Sequence, residues 1–565
     1  MPNSTPALLP VSKPFSAKLL VFAFLTAVTV FFQWNEGAYR SEFSGYPDEG
    51  GHYVTGLLVH DTFVFAKDYA CSGFHGSLVS KGKEFVQNFY DHYPKIGLGQ
   101  WPPLLYVIQS AWFVPFGSSR ASVMLLIATL TGCVGTMLFT EIEAEFGAAY
   151  ALAGCLLWLG MPPVQQYAGM LMAEILSALT MFAATLRLGR YLDGRRPKDA
   201  IAFGIFSAAA LCTKGTGLAL TFVALFAILL TRRFSVLKER AFWTGGVIAM
   251  VFGGPWVLLT CLIGRGGWEE PKPSWNFTRQ ALPFYGWQLI VVIGFVLATL
   301  AALGVACRAM AGFAPSAENP RAGKWASCLA LIAGVVIFPS ITPAGKEVRH
   351  LVPALGAVML FAMAGIAWVA RRSAVPALRT ALPSIAVLVF FAAPLIHPET
   401  DHVYFGSAGD KAHLSPFKVR LKDSWGFRAV AARLMAETPK GKFLVSSDAT
   451  GEGMFIAEVA MADRHRPNCI AKRASKELAQ SAWNGSGYHP KYETEAAMLE
   501  YLTTNGFDFV VIDPAMPEHN RRPHNEMLAR VLRTHPERFQ ALPTEPIFRC
   551  GTPMAEPLES YRVIR

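Results

Sequence analysis

From residue 15 to about residue 396 the chain alternates long apolar runs with short polar connections, and after that the pattern becomes mixed. A helix that crosses a bilayer needs roughly 20 apolar residues. By that ruler, spans are expected near 15–33, 120–140, 148–166, 168–190, 199–213, 216–231, 241–263, 285–307, 325–341, 349–370 and 380–396, about eleven in all. The run "PPLLYVIQSAWFVPFG" (102–117) is shorter and carries prolines at both ends, so it is expected to lie in the outer interface. Beyond 396, "GKFLVSSD" (441–448) and "GFDFVVID" (506–513) read as buried strands, with helical periodicity in "GFRAVAARLMAE" (426–437) and "EAAMLEYLTTNG" (495–506). The predicted architecture is a polytopic α-helical membrane domain, 1–396, with an outer loop at 34–119, followed by a soluble α/β domain at 397–565. That second domain is expected to fold alone, because an α/β core needs no membrane to bury its apolar faces.

Charge sets the expected orientation. Lys13 and Lys18 precede the first run, and the loops at 189–199, 231–240, 307–324 and 370–379 are basic, which places them in the cytoplasm. Parity then puts residues 34–101 and the C-terminus outside, together with "PPVQQYAGMLMAE" (162–174), "TKGTG" (213–217) and "SITPAGKEVRH" (340–350). Four uncommon segments therefore share one face.

Composition agrees with the membrane reading: 52% of residues are hydrophobic and 16% charged, a balance that soluble enzymes of this length rarely show. The net charge of +11 is thus spent on cytoplasmic loops and does not call for nucleic acid. The nine cysteines form no CxxC, and most fall in apolar runs as small buried hydrophobes. No A-x-A-like cleavage site follows the first run, which reads as a retained span.

The candidate chemistry starts in "SGYPDEGGHYVTGLLVHD" (44–61). Pro47 suits a helix start, and Asp48 and Glu49 in the first turn suit its dipole; capping alone would account for them. His52 lies on the same helix face as Asp48. Gly50 and Gly51 weaken such a helix by about 1 kcal/mol each, a loss that close backbone approach to a ligand would offset. Lys214 interrupts two apolar runs, Glu174 opens another, and Lys346 and Arg349 precede a span. Ionisable groups at membrane depth usually face a cavity and carry function, although Lys346 and Arg349 have the reach to snorkel. A cavity with acids on one wall and cations on another suits sugar transfer from a lipid phosphate: the cations take the leaving phosphate, and a carboxylate takes the acceptor's proton.

Four stretches resemble the GT-C superfamily of membrane glycosyltransferases, in the branch of protein O-mannosyltransferases and the lipid A aminoarabinose transferase. They are "YPDEGGHY" (46–53), "WPPLLYVIQSAWFVPFG" (101–117), "FSAAALCTKGTGLAL" (206–220) and "GKEVRHLVPALGAVMLFAMAGI" (345–366). The resemblance implies an inverting, polyprenyl-phosphate-sugar-dependent glycosyltransferase of a bacterial inner membrane, with its catalytic face outside. It implies Asp48 as the catalytic carboxylate and Glu49 as its partner. Lys214, Lys346 and Arg349 become phosphate contacts, and His52, Glu174 and His350 join the substrate-binding set. Two positions depart from the pattern: His350 stands where the branch has Tyr, and Trp101 where it often has Lys or His, with Lys95 and His92 nearby. The acceptor, whether glycan, lipid or protein, is not implied. No cofactor is certain; a divalent ion at Asp48 and Glu49 stays open because no further ligands are recognisable. A transporter or lipid-linked sugar flippase is the alternative, which would place its charges near the membrane midplane within repeated halves.

Overall fold

The computed structural model describes residues 15–71, 77–97, 99–264, 273–316, 319–343, 345–396, 412–418, 421–481, 487–549 and 552–565. Its helices run in chain order α1 (Phe15–Asn35), α2 (Glu49–Cys71), α3 (Leu78–His92), α4 (Leu104–Phe116), α5 (Arg120–Phe146), α6 (Ala148–Gly160), α7 (Pro162–Ala168), α8 (Glu174–Gly194), α9 (Pro197–Leu211) and α10 (Leu220–Thr231). They continue as α11 (Arg240–Gly264), α12 (Trp275–Ile293), α13 (Phe295–Ala311), α14 (Ala322–Ile341), α15 (Leu355–Arg372), α16 (Pro376–Ile396), α17 (Phe427–Glu437) and α18 (Ala449–Ala462). Short 3-10 turns, Gly215–Ala219 and Val348–Ala354, lead into α10 and α15.

Among the described residues, six helices are long and apolar enough to cross a membrane, and three shorter apolar helices lie at 104–116, 148–160 and 215–231. Burial sorts them into layers. Of the apolar window in α11 only 6% is buried, against 89% in the segment Val348–Arg372, so α11 presents Val247, Met250 and Phe252 outward while α15 forms the bundle's centre. An apolar surface on α11 has a natural solvent in lipid tails.

Three expected spans take a different form. The run 148–166 divides between α6 and the separate short helix α7, and the run 168–190 becomes helical as α8 only at Glu174, after the turn at 169–173. The run 285–307 is not one straight span but the pair α12 and α13, bent by 111°. Gly294 makes the bend: its φ of 78° is a conformation few side chains adopt, and a Cβ there would stand 2.6 Å from Pro416. Phe295 restores its hydrogen bond by donating N–H to the carbonyl of His413 at 2.7 Å.

The C-terminal part holds a five-stranded sheet. Lys442–Ser446 lies between Ile470–Arg473 and Phe509–Ile512, parallel to both, and Phe509–Ile512 is followed by the antiparallel strands Glu559–Val563 and Phe539–Ala541. The two strands expected from "GKFLVSSD" and "GFDFVVID" are thus the central parallel pair. The boundary at 397 lies outside the described residues, as does Cys550, while Cys469 is buried and has no disulfide partner among the described residues.

Strand alternation gives the sheet two unlike faces. Leu444, Val510 and Ile512 pack with Leu528 and Val531 in a core of their own. Phe443, Val445 and Phe509 instead share a core, through Phe427 and Phe455, with Phe43, Tyr53, Phe89 and Leu105 of the first loop. Polar ties reinforce that seam: Glu42 accepts from the backbone N–H groups of Trp425 (2.6 Å) and Arg428 (2.7 Å), Arg466 pairs with Asp61 at 2.8 Å, and Tyr93 donates to Asp463 at 2.6 Å. The α/β part and the first loop thus share one hydrophobic core along this seam.

Candidate active site

Asp48 immediately precedes α2, and its carbonyl accepts the N–H of His52 at 2.8 Å. Its neighbour points elsewhere. Glu49 is fully buried and accepts from Arg120 (3.2 Å), the N–H of Leu171 (3.0 Å) and the N–H of Gly45 (3.0 Å). Arg120 in turn donates to the carbonyl of Ala38 and to Ser41, and stacks over Phe43. The acidic pair therefore divides: Glu49 ties the loop to α5 and to the segment before α8, and Asp48 keeps a side chain 35% exposed.

The glycine pair after it serves packing. A Cβ on Gly50 would stand 2.5 Å from the carbonyl oxygen of Gly453 in α18, and one on Gly51 would stand 3.0 Å from the Trp101 ring. The close approach expected at these glycines is thus to protein, one partner being the C-terminal part.

Asp48 faces a chain of charges drawn from three helix junctions. Arg349, in the turn before α15, lies 3.9 Å from Asp48 and 4.0 Å from Glu174. Glu174, buried at the start of α8, receives Lys214 at 2.6 Å. Glu347 pairs with Arg349 and accepts from the Tyr46 hydroxyl at 3.1 Å, and the Tyr46 ring lies 4.6 Å beneath the guanidinium. The second carboxylate oxygen of Glu174 has no hydrogen-bond partner, nor has either ring nitrogen of the buried His350. Buried polar atoms of that kind are uncommon and mark a place where another polar group belongs.

Asp48, Glu174, Lys214 and Arg349 are therefore brought together, with His350 beside them. His52 is buried behind Asp48, its Nδ1 2.7 Å from the Tyr106 hydroxyl and its ring 4.3 Å from that of Trp101. Burial pushes its pKa down to about 4, so the imidazole is neutral at neutral pH. Lys346 is apart: it is exposed and sits 5.9 Å from the Phe284 ring. His92 is half-buried and bonded to the carbonyl of Asn88.

Two participants escape the sequence reading, and a third, Lys95, enters it only as a neighbour of the departure at Trp101. Glu347 lies inside the stretch that supplies Arg349, and its charge between two cations was the signal. Tyr46 opens the acidic motif. Lys95, half-buried against Gly453 of α18, reaches the carbonyl of Ala449 at 3.2 Å and interacts electrostatically with Asp48. Burial, with Arg473 adding to it, lowers its pKa to about 8. Among the described residues no group of three or more His, Cys, Asp or Glu side chains is arranged around a common metal position.

Residues 100–258 match the family model of dolichyl-phosphate-mannose-protein mannosyltransferases. No curated protein matches the sequence. Among solved structures, the apo crystal structure of ArnT from Cupriavidus metallidurans is similar over 96% of this chain and 98% of that one, with 14% identity and a TM-score of 0.54. The structure of the same protein bound to undecaprenyl phosphate is similar over 97% and 98%, with 13% identity and a TM-score of 0.52. The likeness expected from four short stretches is thus carried by sequence across the middle of the chain and by fold across nearly all of it.

Proposed function

We propose that this chain, a glycosyltransferase of the GT-C type by its family match and fold, transfers a sugar from a polyprenyl phosphate with inversion at the anomeric carbon. The observation that carries the reading is the position of Arg349, which reaches Asp48 on one side and the Glu174–Lys214 pair on the other. A base and a phosphate anchor stand next to each other. The acceptor's O–H or N–H gives its proton to the Asp48 carboxylate as the oxygen or nitrogen bonds to the anomeric carbon. The bond from that carbon to the phosphate oxygen breaks on the opposite side, and the lipid phosphate leaves with the electron pair. Arg349 and Lys214 then hold the charge it gains.

The cluster has three carboxylates, Asp48, Glu174 and Glu347, against two cations, Lys214 and Arg349. An incoming phosphate needs one carboxylate to give way. Glu347, whose side chain is 32% exposed against 1% for Glu174, is the one free to swing aside. Lys95 adds a third cation from the loop. The ArnT complex with undecaprenyl phosphate supports a lipid-linked donor for this fold.

On this reading the reaction takes place on the outer face of a bacterial inner membrane, and the parity of the basic loops supports that side. There the C-terminal part meets an acceptor arriving from solvent, whether glycan, lipid or protein. The placement of Glu174 at the first residue of α8, rather than midway along it, favours transfer over translocation. The test is mass spectrometry of envelope glycolipids, glycans and proteins from a deletion strain, followed by reaction of the purified protein with synthetic polyprenyl-phosphate sugars. One sugar-modified species should vanish from the strain, and free polyprenyl phosphate should appear in the reaction. An unchanged envelope together with an inert purified protein overturns the reading.

A further inference from the structure

Helix α8 joins two ends of the bundle. Its first residue, Glu174, belongs to the charged cluster, and its 21 residues end at Gly194. At 1.5 Å per residue that is about 30 Å, the thickness of a bilayer's hydrocarbon core. Around the far end lies a cavity of about 530 Å³ lined by Arg187, Arg190, Arg196, Lys198 and Arg321, with Asp193 and Asp199. Next to it a smaller cavity, about 210 Å³, runs between α5, α8 and α9; Arg187 and Arg190 line both. The remaining walls of the smaller one include Met137, Ala183, Leu186 and Phe206.

The carboxylates there are already engaged. Asp199 holds Arg187 at 3.2 Å, and Asp193 accepts the N–H groups of Gly323 (2.6 Å) and Lys324 (3.3 Å). Glu141, in the smaller cavity, pairs with Arg190 at 2.5 Å and Lys324 at 3.5 Å. Arg196 and Lys198 are exposed and make no ion pair among the described residues. Cations that only set orientation need charge but no cavity. A polar chamber with spare positive charge, beside a second cavity that has apolar walls at Met137, Leu186 and Phe206, matches an amphiphile with an anionic head. Basic pockets between membrane helices take lipid headgroups by the same physics.

We propose that the two adjacent cavities bind an anionic glycerophospholipid of the leaflet opposite the Asp48–Arg349 cluster. Its phosphate lies against Arg196, Lys198 and Arg187, and the start of one acyl chain lies between Met137, Leu186 and Phe206. The test is native mass spectrometry of the full-length protein with phosphatidylglycerol and, separately, phosphatidylcholine of the same chains. Inorganic phosphate and glycerol 3-phosphate serve as competitors. Wild type should retain phosphatidylglycerol at least fivefold better than phosphatidylcholine. Arg196→Glu with Lys198→Glu should remove that preference, and Arg371→Glu, an exposed charge reversal elsewhere, should keep it. Arg196→Gln with Lys198→Gln serves if the charge reversal does not fold. Equal retention of the two lipids, a double variant that binds like wild type, or displacement of the lipid by either headgroup-sized competitor at equal concentration overturns the proposal; the last result would identify a free-phosphate site.

Discussion

Gly50 and Gly453 meet backbone to backbone: any side-chain carbon on Gly50 would stand 2.5 Å from the Gly453 carbonyl oxygen. The helix that follows Asp48 is therefore seated directly on α18 of the C-terminal part. Gly50→Ala should force the two apart at a cost of about 1–3 kcal/mol, more than the roughly 1 kcal/mol that helix propensity returns. Thermal melts in detergent should show a lower midpoint, with Gly51→Ala milder because it meets only the Trp101 ring at 3.0 Å. A Gly50→Ala melt equal to wild type would deny the contact.

Glu49 and Asp48 should separate by kind of defect. Glu49 and Arg120 form a buried pair, with side chains 0% and 5% exposed, and breaking such a pair costs about 3–5 kcal/mol. Glu49→Gln should lower yield and melting temperature, while turnover per folded molecule stays within about threefold of wild type. A stable Glu49→Gln variant with abolished turnover would move the catalytic role to Glu49.

Arg349 is gripped on several sides, by Glu347, Asp48, Glu174 and the Tyr46 ring. Lysine lacks both the planar face and the bidentate fork, so Arg349→Lys should weaken binding of a polyprenyl phosphate by at least about tenfold, nearly as much as Arg349→Ala. Glu347→Gln should strengthen it, since the carboxylate competes with phosphate for the same guanidinium. Both are read by equilibrium binding. Weaker binding in Glu347→Gln would show that Glu347 supports the ligand rather than yielding to it.

Lys95, lowered to about 8, supplies a pH signature. Its ammonium is charged below that value and neutral above it, so donor affinity should fall as pH rises through 8 and should stay flat there in Lys95→Met. Stability moves the other way. Between about 8 and the ordinary lysine value of 10.5 the unfolded chain binds more protons than the folded one, so this group's contribution to stability rises with pH. Donor titrations and melts across pH 7 to 10 would separate the two trends; an affinity that ignores pH would remove Lys95 from the donor site.

The sequence made the membrane helices, the central strands and the place of Asp48 at a helix start legible because each is a local signal: an apolar run, a short hydrophobic burst, an acid after a proline. Partnerships across long separations were not legible. Glu49 reads like Asp48 until Arg120 and Leu171 arrive from α5 and the turn before α8. Gly50 reads as room for a ligand until Gly453 fills it. The run 285–307 is apolar throughout, and only the segment near Pro416 shows why Gly294 breaks it. The C-terminal part reads as self-sufficient because its strands are; that one sheet face shares a core with Phe43 and Tyr53 depends on which helix covers it.

The measurement closest to the central claim is the turnover and donor affinity of purified Asp48→Asn. Asparagine keeps the size of the side chain, which is 35% exposed and 3.9 Å from Arg349, but it cannot take the acceptor's proton. Turnover should fall by about 10²–10⁴-fold with polyprenyl-phosphate binding retained. Turnover within about threefold of wild type in a folded Asp48→Asn protein would contradict the account.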